Sequence, residues 1–311
     1  MRKLLCCVLC LFLVFGCLSL SLADSNPLIY KVSDGEGRFI FLLGTMHVIN
    51  DETLPIAHMD ELMDQVDTAV FELGSEFFEA LKAAGDRSMA QMLEDAATDE
   101  ENTLSEALIE KLVAFFTEDC GCEGIDAALL RRVHAYDLYT AVLMEAMRAA
   151  GMDVSGAAVD KYVYGEAIKR GMTVLGAETV AEQLDAKEEY FGNILQPGGS
   201  EDGAEIDEAQ FDFLMNNLSA LRFSMGILCG AYNSGNRDLL MALVINSYPR
   251  SDVDAVRNQR FFDAAREQLD SGGKAVIAIG LYHVLCEEDG LVTRLTEAGY
   301  TVERWQPGAS D

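Results

Sequence analysis

Four histidines occur in 311 residues, and two of them stand in the same setting. Residues 39–48 read FIFLLGTMHV and residues 275–284 read AVIAIGLYHV. Each is an apolar run, then Gly-x-x-His, then Val, so that Gly44 leads to His47 and Gly280 to His283. A third stretch, TAVFELGSE at 68–76, follows the same grammar but closes its apolar run on a carboxylate, Glu72. Imidazole together with carboxylate suits two kinds of chemistry: holding a divalent metal, or drawing a proton from water as a general base. A single histidine after a strand is ordinarily a hydrogen-bonded structural residue. The repeated setting raises this pair above that reading.

Such chemistry requires the groups to meet, and the flanking residues indicate how. A continuous apolar run bounded by glycine reads as a buried strand of a largely parallel sheet. Residues just past the carboxyl ends of such strands line the crevice where open α/β sheets bind ligands. Gly44 and Gly280 read as permitting a sharp exit, because glycine reaches backbone angles that other residues avoid. Neighbouring strands would then place His47, His283 and Glu72 in one crevice. Glu178, after the short buried strand at 172–175, is a second candidate acid at the sheet edge, with Gln183 one helical turn further on. Arg257 and Asn258, in a helix over 253–269, could reach an oxygen-rich substrate; a solvated helix face accounts for them equally well.

The remaining pattern supplies the scaffold. Residues 28–32 and 38–43 flank Asp34-Gly35-Glu36-Gly37, a hairpin signal. A helix is expected over 51–67, with Pro55 in its first turn, an apolar face that includes Leu62 and Met63, and a structural His58 within it. Residues 75–152 are helical and acidic outside, with helices at 103–116 and 131–147, which suggests a lobe or lid inserted between strands. His134, near Tyr136 and Tyr139, reads as packed. Met144, Met147 and Met152 suit an adaptable apolar surface, although core packing is simpler. A helix at 159–169 stops at Gly171, and QPGGSEDG at 196–203 is a loop. Helices at 211–228, 237–245 and 289–298 and a strand at 300–305 complete the chain. The fold class is therefore α/β: a central mixed, largely parallel sheet flanked by helices, with a helical lobe inserted between strands.

Composition bounds the partners and the compartment. Lysine and arginine number 23 against 52 acidic residues, a net charge of −29, which disfavours DNA or RNA as a partner. Residues 1–23 read as a secretory leader, with Arg2 and Lys3, an apolar run from Leu4, and Ser21-Leu22-Ala23 before Asp24. Val14-Phe15-Gly16-Cys17 also resembles a lipoprotein signal, and an uncleaved anchor is a third possibility. Each places the domain outside the cytoplasm. Residues 24–311 suffice for a single domain, with its helical lobe at about 75–152. Outside the leader, Cys120, Cys122, Cys229 and Cys286 remain, an even set that permits disulfides. Cys120-Gly121-Cys122 has no second pair at zinc-ribbon spacing, so burial or a disulfide is the expected fate. The sequence holds no nucleophile elbow, phosphate loop, HExxH or dinucleotide fingerprint.

The ordered set of Gly44-Thr45-Met46-His47 after a hairpin, Glu72 ending the next strand, KRGMTVLGAETVAEQ, Val256-Arg257-Asn258 and Gly280-Leu281-Tyr282-His283 resembles the TraB/GumN family. That family includes the Tiki-type proteases and the pheromone-shutdown proteins. The resemblance covers residues 27–305 and implies a fold distantly similar to erythromycin esterases and haem-binding ChaN-like proteins. Tiki relatives are membrane-tethered, metal-dependent proteases of secreted signalling proteins. The family's paired histidines and strand-end glutamate match His47, His283 and Glu72. Its arginine–asparagine matches Arg257 and Asn258. Its LET-like turn matches Glu178, although Ala177 stands where many members carry leucine. The resemblance thus implies a secreted or surface-tethered metal-dependent hydrolase, a peptidase acting on a peptide or protein. His47 and His283 would hold a divalent metal (Zn, Mn, Co or Fe), with Glu72 as third ligand or base. Arg257 would stabilise an oxyanion, and Asn258 and Glu178 would position substrate. The rival readings are a metal-independent, histidine-based esterase-like hydrolase and a non-enzymatic binder of a peptide pheromone or haem.

Overall fold

The computed structural model describes residues 26–84, 87–149, 151–152, 158–183, 208–245 and 252–308. The leader expected at 1–23 and the loop expected at 196–203 lie outside the described residues. Strands β1 (Ile29–Ser33), β2 (Phe39–Thr45), β3 (Thr68–Leu73), β4 (Thr173–Glu178), β5 (Ala275–Gly280) and β6 (Thr301–Arg304) form one sheet in the order β4-β3-β5-β2-β1-β6. β2, β5, β3 and β4 run parallel, whereas β1 is antiparallel to both β2 and β6. The sheet is thus mixed and largely parallel, with helices around it, an α/β fold.

The three apolar runs become the centre of this sheet. Residues 40–43 of β2, 69–71 of β3 and 275–279 of β5 are all buried, as strands covered on both faces require. The hairpin turn is closed by Asp34, whose Oδ1 accepts from the N–H groups of Glu36 at 2.8 Å and Arg38 at 3.0 Å. β4 departs from expectation. It is longer than 172–175 and forms an edge strand with Leu175 exposed, because its outer side pairs with no described strand.

The helix expected at 51–67 shrinks to α1 (Met59–Met63). At its start, Asn50 Oδ1 accepts from Glu52 N–H at 3.2 Å and Thr53 Oγ1 at 2.9 Å, closing a side-chain turn that competes with helix. His58 sits just before α1 with φ of 58°, outside the helix it was expected to occupy.

The region after β3 is helical as expected: α2 (Ser75–Ala84), α3 (Met89–Ala96), α4 (Glu106–Ala114) with a π turn at Phe115–Asp119, α5 (Ala127–Arg131) and α6 (Ala135–Ala149). α7 (Ala158–Lys169) then leads to β4. The expected helix at 211–228 divides into α8 (Glu208–Asn216) and α9 (Leu218–Asn233). At the break, Asn217 turns its side chain back to donate to Phe213 O at 2.7 Å. α10 (Arg237–Leu240) passes into a π turn at Met241–Ile245, followed by α11 (Asp252–Asp270). α12 (Leu281–Leu285) and α13 (Leu291–Glu297) flank the last turns before β6.

Two apolar cores result. One surrounds the sheet; the other is built by α3 to α6 together with Phe211 and Leu214 of α8. Met144 of α6 packs against both. Where β2 ends, α12 lies directly on it. A Cβ at Gly44 would come within 2.6 Å of Leu281 Cδ1 and 3.1 Å of its Cα. Changing Gly44→Ala should therefore destabilise by about 1–3 kcal/mol in urea unfolding. Gly35→Ala, with nothing within 4 Å of the added carbon, should stay within about 0.5 kcal/mol of the parent.

Candidate functional site

The sheet register decides what meets. Gly44 pairs with Ile279 and Thr45 with Gly280, so the two motifs leave adjacent parallel strands one residue apart. β3 lies on the other side of β5, and Glu72 near its end reaches across. Its Oε1 accepts from Gly280 N–H at 2.8 Å. A Cβ on residue 280 would lie 2.9 Å from that oxygen. Gly280 itself has φ of −48° and ψ of 135°, angles open to other residues. Close approach, not backbone freedom, is what requires glycine here, and the same holds for Gly44.

The first motif is held from three sides. Tyr232 OH, from α9, donates to Gly44 O at 2.7 Å. Val159 N–H, at the start of α7, donates to Met46 O at 3.2 Å. Thr45 Oγ1 donates to Asp160 Oδ1 at 2.9 Å. His47 is left half exposed with Nδ1 3.4 Å from Asp160 Oδ2. That oxygen is buried and has no hydrogen-bond partner among the described residues.

The second motif is held from behind. His283 is buried, and its Nδ1 lies 2.7 Å from Asn258 Oδ1. Asn258 Nδ2 donates to Asp289 Oδ1 at 3.0 Å. A guanidinium only donates, and Arg257 approaches the other ring nitrogen, so His283 carries its proton on Nδ1, facing the amide oxygen. Nε2 is then an acceptor, and it meets Arg257 Nη1 at 3.0 Å.

Arg257, from α11, joins the groups of the site. Its Nη2 donates to Glu72 Oε2 at 2.8 Å, and its Nε lies 3.0 and 3.1 Å from the two oxygens of Glu178. Gln183 adds a further donor to Glu72 Oε2 at 3.1 Å. Burial alone would raise the Glu72 pKa, but Arg257 and then the two imidazoles outweigh it and bring the group down to about 2. Burial, then the Arg257 charge, lowers His283 to about 3, so its ring is neutral. Burial dominates at Glu178, raising it despite Arg257. It also raises Asp160 to about 6 against the pull of His47.

These groups open onto a cavity of about 600 Å³. His47, His283, Glu72, Asp160 and Arg257 line its polar side, and Phe77, Phe78, Met147, Met225 and Leu228 contribute an apolar side. Both expected imidazoles and the expected acid therefore share one pocket. Glu178 and Asn258 belong to the same network but sit behind it: Glu178 faces Arg257, and Asn258 faces His283 and Asp289. His134 is exposed, not packed, and its Nδ1 accepts from Tyr136 N–H at 3.4 Å. Cys120, Cys122, Cys229 and Cys286 are free thiols, the last two buried, so no disulfide joins them.

Asp160, Asp289 and Tyr232 were not singled out from sequence. Asp160 did leave a trace, since it shares one helical stripe with the buried Val163 and Ala167. The buried stripe of α11 likewise runs Asp254, Asn258, Phe261 and Ala265, which marks Asn258 as inward-facing.

Imidazole and carboxylate are donor types that divalent cations take. Each imidazole has Nδ1 turned to a buried polar group, which leaves Nε2 on the far side of the ring, and Asp160 offers an unpartnered oxygen. Arg257 meanwhile shares the lone pairs of His283 and Glu72. Among the described residues, no three His, Cys, Asp or Glu side chains converge at ligand distance. No described helix is long and apolar enough to cross a membrane.

The sequence model of the TraB/PrgY/gumN family matches residues 28–304, and the chain belongs to that family. Neither a curated protein nor a solved structure matches it significantly, so the likeness to erythromycin esterases and ChaN-like proteins is not confirmed.

The neutral state of His283 carries a pH signature. Its pKa is depressed from 6.5 to about 3, so below 6.5 the unfolded chain takes up a proton that the folded one refuses, and stability falls with pH. Between about pH 7 and about pH 5 the parent should lose about 2 kcal/mol more than His283→Gln in urea titrations. Equal losses would contradict a neutral, buried ring.

Proposed function

We propose that this chain is a water-activating hydrolase, dependent on a divalent metal and acting on peptide or protein substrates. The observation that carries the reading is the pairing of two backed imidazoles with an ionised carboxylate at one cavity. His47, His283 and Glu72 would hold the cation; nitrogen and oxygen donors suit Zn, Mn, Co or Fe. A bound cation of this kind supplies Lewis acidity, lowering the pKa of water to ~7 in favourable zinc sites and polarising a carbonyl.

The chain's own groups divide the remaining work. Glu72, held near a pKa of 2, is a weak base and suits holding charge more than taking a proton. Arg257, ionised and lining the cavity, can share its positive charge with a carbonyl oxygen as that oxygen becomes negative. Glu178 and Asn258 fix the arginine and the His283 ring from behind. The apolar wall of Phe77, Phe78 and Met147 suits the side chain of a peptide. The net charge of −29 argues against nucleic acid. The leader at 1–23 supports action outside the cytoplasm, either secreted or tethered through the N-terminus.

A specific contact favours a second reading. Arg257 already satisfies both His283 Nε2 and Glu72 Oε2, so a metal-independent hydrolase could use the same groups without a cation. Peptide cleavage followed by mass spectrometry, before and after chelation and metal return, separates these. Metal dependence predicts loss on chelation, recovery with one divalent ion, and a fall of about 10²–10⁴-fold in kcat/KM for His47→Ala or His283→Ala. Full turnover in chelated protein would establish the metal-free version. Tight retention of a peptide or haem with no product would identify a binding protein instead.

A further inference from the structure

We propose that Asp160 is the positioning residue for His47, doing for the first Gly-x-x-His motif what Asn258 does for the second. The assignment rests on reading His47 as a working imidazole of this site. It starts from an unmet need. Asp160 Oδ2 is buried, lies on the cavity and has no hydrogen-bond partner among the described residues. Buried polar oxygens are nearly always satisfied, because leaving one bare forfeits its hydration without return. A ring nitrogen that can carry a proton, His47 Nδ1, lies 3.4 Å away.

Two contacts hold the carboxylate in place for that task. Thr45 Oγ1 donates to the other oxygen, Oδ1, at 2.9 Å. Val159 N–H, on the residue before Asp160, donates to Met46 O, on the residue before His47, at 3.2 Å. The first turn of α7 is thus docked onto the motif loop itself. A ring N–H directed at Oδ2 puts the proton on Nδ1 and leaves the Nε2 lone pair for the cavity. Asn258 imposes the same tautomer on His283 from the other side. The duplicated motif therefore has a duplicated support, drawn from two helices unrelated in sequence.

Long-range proton–nitrogen correlation spectra of the isotope-labelled, metal-free protein report this directly at mildly alkaline pH, with His47→Gln identifying the ring. The parent should show His47 as the Nδ1–H tautomer. Asp160→Ala should move His47 toward the Nε2–H form of a free imidazole while His283 keeps its own. Asp160→Asn should retain the parent pattern, because its amide oxygen can face Nδ1 as that of Asn258 does. Zinc titration should show Asp160→Ala binding about 10–100-fold more weakly, with Asp160→Asn closer to the parent. An Nε2–H ring in the parent, which needs no variant to observe, would overturn the assignment. So would an unchanged His47 in a folded Asp160→Ala protein. If the parent binds no zinc at all, the metal reading fails while the tautomer result still decides the role of Asp160.

Discussion

Parallel pairing of β2 with β5 is the constraint from which the rest of the site follows. The pairing runs from Ile40 with Ala275 to Thr45 with Gly280, and it delivers two loops of identical grammar to one rim of the sheet. β3 lies against the other side of β5, so Glu72 arrives at the same rim. The exit of β4 brings Glu178, which pairs in register next to Leu73. The cavity lies beyond these carboxyl ends, where the strands of an open α/β sheet stop and their connections diverge.

That convergence creates an electrostatic problem, and Arg257 resolves part of it. Bringing Glu72, Glu178 and Asp160 close together in a largely buried setting is costly unless positive charge or directed hydrogen bonds accompany them. Arg257 supplies its fork to two of the three carboxylates, and the planar guanidinium still has a donor left for His283. The outcome is uneven. Glu72, reached by Arg257, Gln183 and a backbone amide, is strongly acidic, whereas Asp160, whose partners are Thr45 and a histidine, is not. Two carboxylates in one pocket are thus shifted in opposite directions by their different partners.

Much of the architecture is legible in the sequence, for a physical reason. Strands covered on both faces must be apolar at every position, so β2, β3 and β5 advertise themselves, and the polar residues that end them stand out. His47, His283 and Glu72 were readable in that way. Positions on helices were harder. Arg257 and Asn258 sit in a long, highly charged helix, and only the spacing of Asn258 with Phe261 and Ala265 marks it as inward-facing. Asp160 carries the same kind of signal beside Val163 and Ala167, but which loop α7 docks against is a tertiary matter that no local pattern encodes. At the start of the helix expected at 51–67, the Asn50 side chain competes with the backbone for its hydrogen bonds.

The contact at Gly44 has a mechanical consequence. Because that residue has no side chain, Leu281 seats directly on the backbone of β2, so the two motifs touch nearly main chain to main chain. The spacing of the two motif loops is thus set where Leu281 meets the backbone of β2. A pocket mounted this way has its two motif loops held together by the fold itself.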